Sequence, residues 1–217
     1  MAAPHALVET CYRGDRATLR RLVAGGLTAA EVRAENCRVL CLASMKGHAD
    51  VVGDLADAFG LTADDARASN GLRWACQYGH TAVVRRLLGM GLTAADARDN
   101  RNLALSYASA MGNLEVVEML VGTGLTPADA LQPSVGMQEF GDEQLFCAFH
   151  LACYKGHAEV VEFLLGTGLT AADARAAAAH AGAHAAVAAA LEAHATRGSR
   201  TKVAVSRPVG RPAGRPD

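Results

Sequence analysis

The feature that most constrains this chain is a phrase, Gly-Leu-Thr, that recurs five times at nearly regular intervals. The copies begin at Gly26, Gly60, Gly91, Gly124 and Gly168, which gives intervals of 34, 31, 33 and 44 residues. A period near 33 residues is typical of proteins built as a stack of small helical units, because one such unit cannot bury its own apolar face. The sequence therefore predicts an array of repeats.

A second phrase follows the same period and predicts two helices in each unit. Its form is Leu-x-x-Ala-x-x-x-Gly-His-x-x-Val-Val-x-x-Leu-Leu, and the clearest copy runs from Leu72 to Leu88. The Leu-x-x-Ala stretch indicates a first helix, which Gly79 ends in a left-handed conformation. The apolar spacings of three and four that follow indicate a second helix. Related copies begin at Leu7, Leu40, Leu105 and Phe149, and a degraded Ala-rich copy spans 178–191.

The segment after each Gly-Leu-Thr predicts a further short helical turn between units. Each Thr is followed three residues later by an acidic residue, which is the spacing of a capping box. The pairs are Thr28 with Glu31, Thr62 with Asp65, Thr93 with Asp96, Thr126 with Asp129 and Thr170 with Asp173. Pro127 falls at the first helical position after its Thr, where the missing N–H costs nothing.

Together these phrases resemble the ankyrin repeat, over roughly residues 5–195. Two departures matter. The usual Thr-Pro-Leu-His entry survives only as Phe149-His150, and the usual Gly-Ala-Asp-Val-Asn finger is replaced by Gly-Leu-Thr-Ala-x-Asp-Ala-Arg. The second form is similar to ankyrin-like arrays of large DNA viruses and protists. The resemblance implies an all-α helical repeat solenoid of about six units, and the replaced finger favours helical turns over β-hairpins between them.

The same pattern suggests a division of the chain into four parts. We expect an N-terminal capping repeat (1–25), ankyrin-like repeats (26–168) with an insertion near 131–144, and a degenerate Ala-rich capping repeat (169–196). The segment 197–217 holds six Lys and Arg residues and one acid, and it is rich in Pro and Gly. Such a composition cannot support a core, so we expect a disordered basic tail.

Several classes of protein are disfavoured by what the sequence lacks. No run approaches the roughly 18–20 apolar residues that span a bilayer, and the N-terminus does not resemble a secretory signal. Six cysteines without such a signal favour reduced thiols, so we expect a cytoplasmic protein, or a nuclear one, in the host cell if it is viral. Because phosphate-binding loops, His-Glu-x-x-His and Gly-x-Ser-x-Gly are all missing, we expect no enzyme and no cofactor.

One cluster raises the alternative of a metal site. Cys147, His150, Cys153 and His157 have spacings that could bind zinc. Three of them fall on repeat positions that explain them without a metal, so we predict none. The slot after the repeated Gly holds His48, His80 and His157, and in other copies Asp15 and Asn113. We expect these polar residues to hydrogen-bond loop backbone.

The resemblance implies that first helices and inter-repeat turns line a concave binding face. We expect contacts from the two residues before each repeated Gly, and from the slot before the repeated Ala. The candidates are Tyr12, Arg13, Met45, Lys46, Trp74, Gln77, Tyr78, Tyr107, Met111, Tyr154 and Lys155, with Met137 and Phe140 of the insertion. Such residues suit an interface core. Trp74 and Tyr107 could equally be packing residues, and the insertion a tolerated surface loop.

The functional hypothesis is therefore a non-catalytic scaffold or adaptor, a monomer that binds a protein of unknown identity. The alternative is a nucleic-acid-associated or nuclear factor that uses the basic tail. Its Gly210-Arg211-Pro212 and Gly214-Arg215-Pro216 resemble halves of an AT-hook, and basic tails attract phosphates without sequence preference. A plain solubilising tail is the third interpretation.

Overall fold

A computed structural model describes residues 3–133, 147–178 and 184–205. In those residues the chain forms fifteen helices and no strand, so the all-α prediction is confirmed. The helices are α1 (Ala3–Arg13), α2 (Arg16–Ala24), α3 (Ala29–Met45), α4 (Ala49–Phe59), α5 (Ala63–Ser69), α6 (Gly71–Tyr78), α7 (Thr81–Gly89), α8 (Ala94–Ala97), α9 (Asp99–Ala110), α10 (Leu114–Gly122), α11 (Pro127–Leu131), α12 (Ala148–Lys155), α13 (Ala158–Gly166), α14 (Ala171–Ala178) and α15 (Ala185–Val205). No described helix is long and apolar enough to cross a bilayer.

The helices stack in two layers. The first helices α1, α3, α6, α9 and α12 pack on one another in order, and the second helices α2, α4, α7, α10 and α13 form a parallel row that α15 completes. Contacts within the first-helix layer are the more extensive. Small residues permit this approach, since Ala43, Ala75, Ala108 and Ala152 are fully buried. Closer packing on one side of a stack makes that side concave, so the first helices lie on the inner face.

The segments between repeats are helical turns, as the capping boxes predict. Asp96 Oδ2 accepts a hydrogen bond from the backbone N–H of Thr93 at 2.7 Å and so closes the box that opens α8. Equivalent boxes begin α3, α5 and α11, and Pro127 occupies the first turn of α11. The Gly-Leu-Thr phrase is therefore a helix start in each of these repeats.

The helix α3 combines such a turn with a first helix. Residues Ala34 to Cys37 interrupt it with non-helical backbone, and Glu35, Asn36 and Cys37 have left-handed torsions. In the next two repeats a single Asn takes the left-handed conformation near the same junction, at Asn70 and at Asn102. Asn tolerates this conformation better than most residues. The junction turns the chain from the short helix into the inner layer.

The core is one continuous seam along the whole stack. The slot that the sequence analysis assigns to a small residue is fully buried in five repeats, where it holds Cys11, Ser44, Cys76, Ser109 and Cys153. Burial raises the pKa of the Cys11 thiol to about 12, which disfavours the reactive thiolate. These cysteines are packing residues of the seam.

The final helix extends beyond the expected end of the array. The helix α15 runs through Val205, into the segment assigned above to the tail. A single glycine such as Gly198 costs a helix only about 1 kcal/mol and need not stop it. Residues 206–217 and the insertion residues 134–146 lie outside the described residues.

Candidate protein-binding surface

The polar residues after each repeated Gly hold neighbouring first helices together. His80 Nε2 donates to the backbone carbonyl of Met45 in the preceding repeat at 3.1 Å. Its ring lies against Gly47, where an added Cβ would sit 2.7 Å from Nδ1. The same contact recurs from His48 to Tyr12, Asn113 to Cys76, His157 to Ala110 and His184 to Tyr154. The predicted bonding to backbone is confirmed, but the acceptors lie at the ends of first helices rather than in loops, and Asp15 instead caps its own helix α2.

This interlock positions the candidate binding residues. The carbonyls that accept these bonds belong to the C-terminal ends of the first helices, where the residues before each Gly lie. Each end is therefore anchored to the next repeat. The side chains of Tyr12, Met45 and Tyr154 project from backbone that a neighbouring repeat holds in place.

A ladder of ion pairs joins the short helices, and the sequence analysis missed it. Arg98 donates from Nε and Nη2 to the two carboxylate oxygens of Asp129 at 2.8 and 2.9 Å. The same contact joins the preceding units, where Arg33 pairs with Asp65 and Arg67 pairs with Asp96. The available signal was the Arg two residues after each box acid. Leu131 takes that position in the fifth repeat, so there the ladder ends.

The box acids Asp65, Asp96 and Asp129 thus have two roles. The carboxylate of Asp96 accepts hydrogen bonds from Arg67 and from the backbone and hydroxyl of Thr93. The hydrogen bond with Arg67 is the main reason that the pKa of Asp96 falls to about 2. Arg98 lowers the pKa of Asp129 in the same way. Capping and repeat stacking therefore depend on the same ionised group.

The predicted surface residues fall into distinct groups. The large apolar or aromatic side chains that are exposed in the described residues are Tyr12 (44%), Tyr78 (52%), Met111 (42%) and Tyr154 (48%). Each of the four is one of the two residues before a repeated Gly: Tyr78 and Met111 directly precede it, and Tyr12 and Tyr154 lie two residues before it. Arg13, Lys46 and Lys155 are exposed as well, whereas Met45, Trp74 and Gln77 are half-buried. Met137 and Phe140 lie outside the described residues.

Tyr107 requires a correction, because its side chain is only 3% exposed and offers little contact area to a partner. The helix α9 packs closely against both α6 and α12, so a large side chain in this slot is enclosed. The Tyr107 hydroxyl accepts a 3.5 Å hydrogen bond from Arg73 Nη2. Of the two interpretations open for Tyr107, packing is the one that fits.

Arg73 is a half-buried residue of the inner face that the sequence analysis did not select. Its guanidinium lies over the rings of Trp74 and Tyr107, 4.8 and 5.4 Å from their centroids. Trp74 in turn stacks on Tyr78, with ring centroids 6.3 Å apart and planes inclined by 10°. Lys46 lies 4.5 Å over the Tyr12 ring. Cations and aromatic rings therefore alternate along the inner face.

The sulfur and imidazole groups of the fifth repeat serve the fold. Cys147 Sγ accepts from the backbone N–H of His150 at 3.4 Å at the start of α12, and His157 is bonded to Ala110. Among the described residues no group of three or more His, Cys, Asp and Glu side chains is close enough to hold a metal ion.

The comparisons with known proteins agree with this architecture. Models of ankyrin repeats match residues 40–131, with three copies, and residues 146–176, which together exceed half of the chain. Among solved structures the chain is similar to the human ASB11 ankyrin repeat domain, with a TM-score of 0.65 and 22% identity over 87% of this chain and 82% of that one. No curated protein matches the sequence significantly. The chain belongs to the ankyrin repeat family.

Proposed function

We propose that this protein is a non-catalytic scaffold or adaptor that binds a partner protein along the inner face of its first helices. Ankyrin repeats generally mediate protein–protein interaction and are typically non-catalytic. The observation that carries the proposal is the placement of the exposed side chains Tyr12, Tyr78, Met111 and Tyr154. They come from four repeats, and each is one of the two residues before the repeated Gly, so they lie near the same end of four stacked first helices.

The physical argument is that these side chains do little for the stack itself. Tyr78 is 52% exposed, and half of a tyrosine ring left in water is apolar area that a partner could bury. Tyr and Met are enriched in the cores of protein interfaces. Tyr is also enriched among the residues that contribute most of the binding energy. The backbone beneath them is fixed by the histidine contacts, which reduces the entropy lost on binding.

A site-specific crosslinking experiment tests this surface. A photo-activated phenylalanine analogue at position 78 should capture a partner, because Tyr78 is exposed near the centre of this surface. Glu118 is the matched control position, since it is exposed on the second helix α10. Capture at 78 should be competed by excess wild-type chain and not by a chain carrying Tyr12→Ser, Tyr78→Ser and Tyr154→Ser. Equal capture at 118, or competition by the triple variant, would contradict the proposed face.

The basic tail supports the alternative, a nucleic-acid-associated factor. Its support is the sequence pattern alone, with Arg207, Arg211 and Arg215 each next to Pro. A chain ending at Val205 removes these residues and keeps α15 intact. If binding of partners persists in that chain and after nuclease treatment, the array is the binding module. If binding is lost in either case, the tail is responsible.

A further inference from the structure

We propose that the segment recognised by the inner face is an acidic peptide, in which carboxylates alternate with apolar side chains, and that Arg73 binds one of its carboxylates. This proposal rests on the proposed function and adds the chemistry of the partner. It draws on the environment of Arg73, on the cavity beside it and on the distribution of charge between the two helix layers.

Within the described residues, Arg73 lacks the carboxylate partner that the arginines of the ladder have. Arg33, Arg67 and Arg98 each bind an aspartate of the next repeat. Arg73 forms no ion pair within the described residues, and its buried Nε has no hydrogen-bond partner there. A guanidinium presents a planar set of donors that matches a carboxylate in a bidentate contact. The Trp74 and Tyr107 rings hold this group in place for such a ligand.

The space beside Arg73 suits a small anionic group. A cavity of about 340 Å³ lies between the third and fourth repeats, and Asn70, Leu72, Arg73 and Leu103 are among its lining residues. Two carboxylates also line it. One of them, Asp96, is bound by Arg67 and is therefore not available to Arg73.

The two helix layers carry opposite charges in the second and fifth repeats, whereas in the third repeat both are basic, because α7 contains Arg85 and Arg86 and no acid. The first helices α6 and α12 contain Arg73 and Lys155 and no acid, and Lys46 follows the end of α3. Glu9 and Glu35, which lie near this face, are bonded to Arg13 and Arg38. The second helices α4, α10 and α13 contain acids and no cation: Asp50, Asp54, Asp57, Glu115, Glu118, Glu159 and Glu162.

The cations Lys46, Arg73 and Lys155 of the inner face favour an acidic partner, since complementary charge steers association and suppresses wrong partners. The formal net charge of −1 conceals the basic face. Exposed Tyr78 and Met111 separate the cations, so a segment that alternates carboxylates with apolar side chains fits better than a continuous row of phosphates. A nucleic-acid strand would require a basic groove that follows its whole backbone.

Trp74 makes the test direct. It is the sole tryptophan of the chain and lies beside Arg73, so its fluorescence reports on ligands at that position. A peptide of about twelve extended residues spans about 40 Å, the width of four helices packed 8–10 Å apart. The full chain is titrated with such a peptide of alternating Glu and Leu, with the same peptide carrying Lys for Glu, and with a single-stranded oligonucleotide of equal charge.

Affinities of the variants are measured by the anisotropy of labelled peptide. We expect the Glu peptide to bind, and Arg73→Gln and Lys46→Gln each to weaken it about fivefold. Arg85→Gln is the matched control, because it removes an exposed cation from the second helix α7 and should change the affinity less than about twofold. Circular dichroism verifies that each variant is folded.

The proposal would be overturned by no binding of the Glu peptide, by equal binding of the Lys peptide, or by equal weakening by Arg85→Gln. Tighter binding of the oligonucleotide would overturn it in favour of phosphate recognition. These outcomes are separable from failure of the proposed function. If crosslinking at position 78 captures a partner while the Glu peptide does not bind, the face is confirmed and its preference for acid is refuted.

Discussion

Replacement of Gly47 by alanine should measure how strongly adjacent repeats interlock. Gly47 has a φ of +80°, and an added Cβ would lie 2.7 Å from Nδ1 of His80 in the next repeat. The left-handed conformation alone costs a non-glycine residue about 1 kcal/mol. The added Cβ would also displace the His80 ring and so break its hydrogen bond to the Met45 carbonyl. The loss of that bond costs about 1–2 kcal/mol at a partly buried site. We expect Gly47→Ala to lower the free energy of unfolding by about 2–3 kcal/mol.

Gly60 provides the matched control for the backbone contribution. Its φ is +58°, and nothing lies within 4 Å of its added Cβ. Gly60→Ala should therefore lower the free energy of unfolding by only about 1 kcal/mol. The difference between the two variants isolates the contact with the imidazole.

A double-mutant cycle with His80→Ala completes the experiment. When the ring is absent, Gly47→Ala should cost about 1 kcal/mol, as Gly60→Ala does. Unfolding in urea is followed by circular dichroism and by Trp74 fluorescence, and coincidence of the two curves verifies that the transition is cooperative. The reasoning is refuted if Gly47→Ala and Gly60→Ala cost the same, or if His80→Ala leaves the effect of Gly47→Ala unchanged.

Two further predictions concern charge and thiol chemistry. Because the pKa of Asp96 is about 2 in the folded chain and near 3.9 when unfolded, its pairing stabilises the fold above pH 4, and the stabilisation is lost as the pH falls towards 2. Arg67→Gln should thus lower the Tm at pH 7 and reduce the drop in Tm between pH 5 and 2.5; an unchanged acid transition would contradict the ladder. Burial raises the pKa of Cys11 to about 12. At pH 8, iodoacetamide should therefore label the Cys11 thiol far more slowly in the folded chain than in urea, and peptide mass spectrometry can measure the two rates. Equal rates of labelling would contradict the burial of Cys11.

The helices and turns within each repeat could be predicted from local sequence signals. The capping box of Thr93 and Asp96 could be predicted because it involves residues three apart, whose geometry depends on one helical turn. The conformation of Gly47 could be predicted because a helix end requires a left-handed residue. The slot of His80 was recognised as structural because it recurs with the period of the fold.

Contacts between repeats could not be predicted in the same way. The pair Arg98 and Asp129 joins residues 31 positions apart, and its geometry depends on how one unit rotates against the next. The same applies to Tyr107, whose slot in the sequence is equivalent to that of half-buried Trp74. The close approach of α9 to its neighbours encloses one ring and leaves the other partly open.

The sequence by itself therefore determined the repeat, its helices, their caps and the positions of the side chains before each Gly, because these follow from periodicity and from contacts within a few residues. Only the tertiary structure decided which side chains the stack buries, which aspartates the arginines reach, and that Arg73 lies between two rings with no ion pair to any described carboxylate. The physical reason is that such contacts are set by the distance and rotation between stacked units. No single repeat contains that information, since each face becomes buried or exposed only when its neighbour is in place.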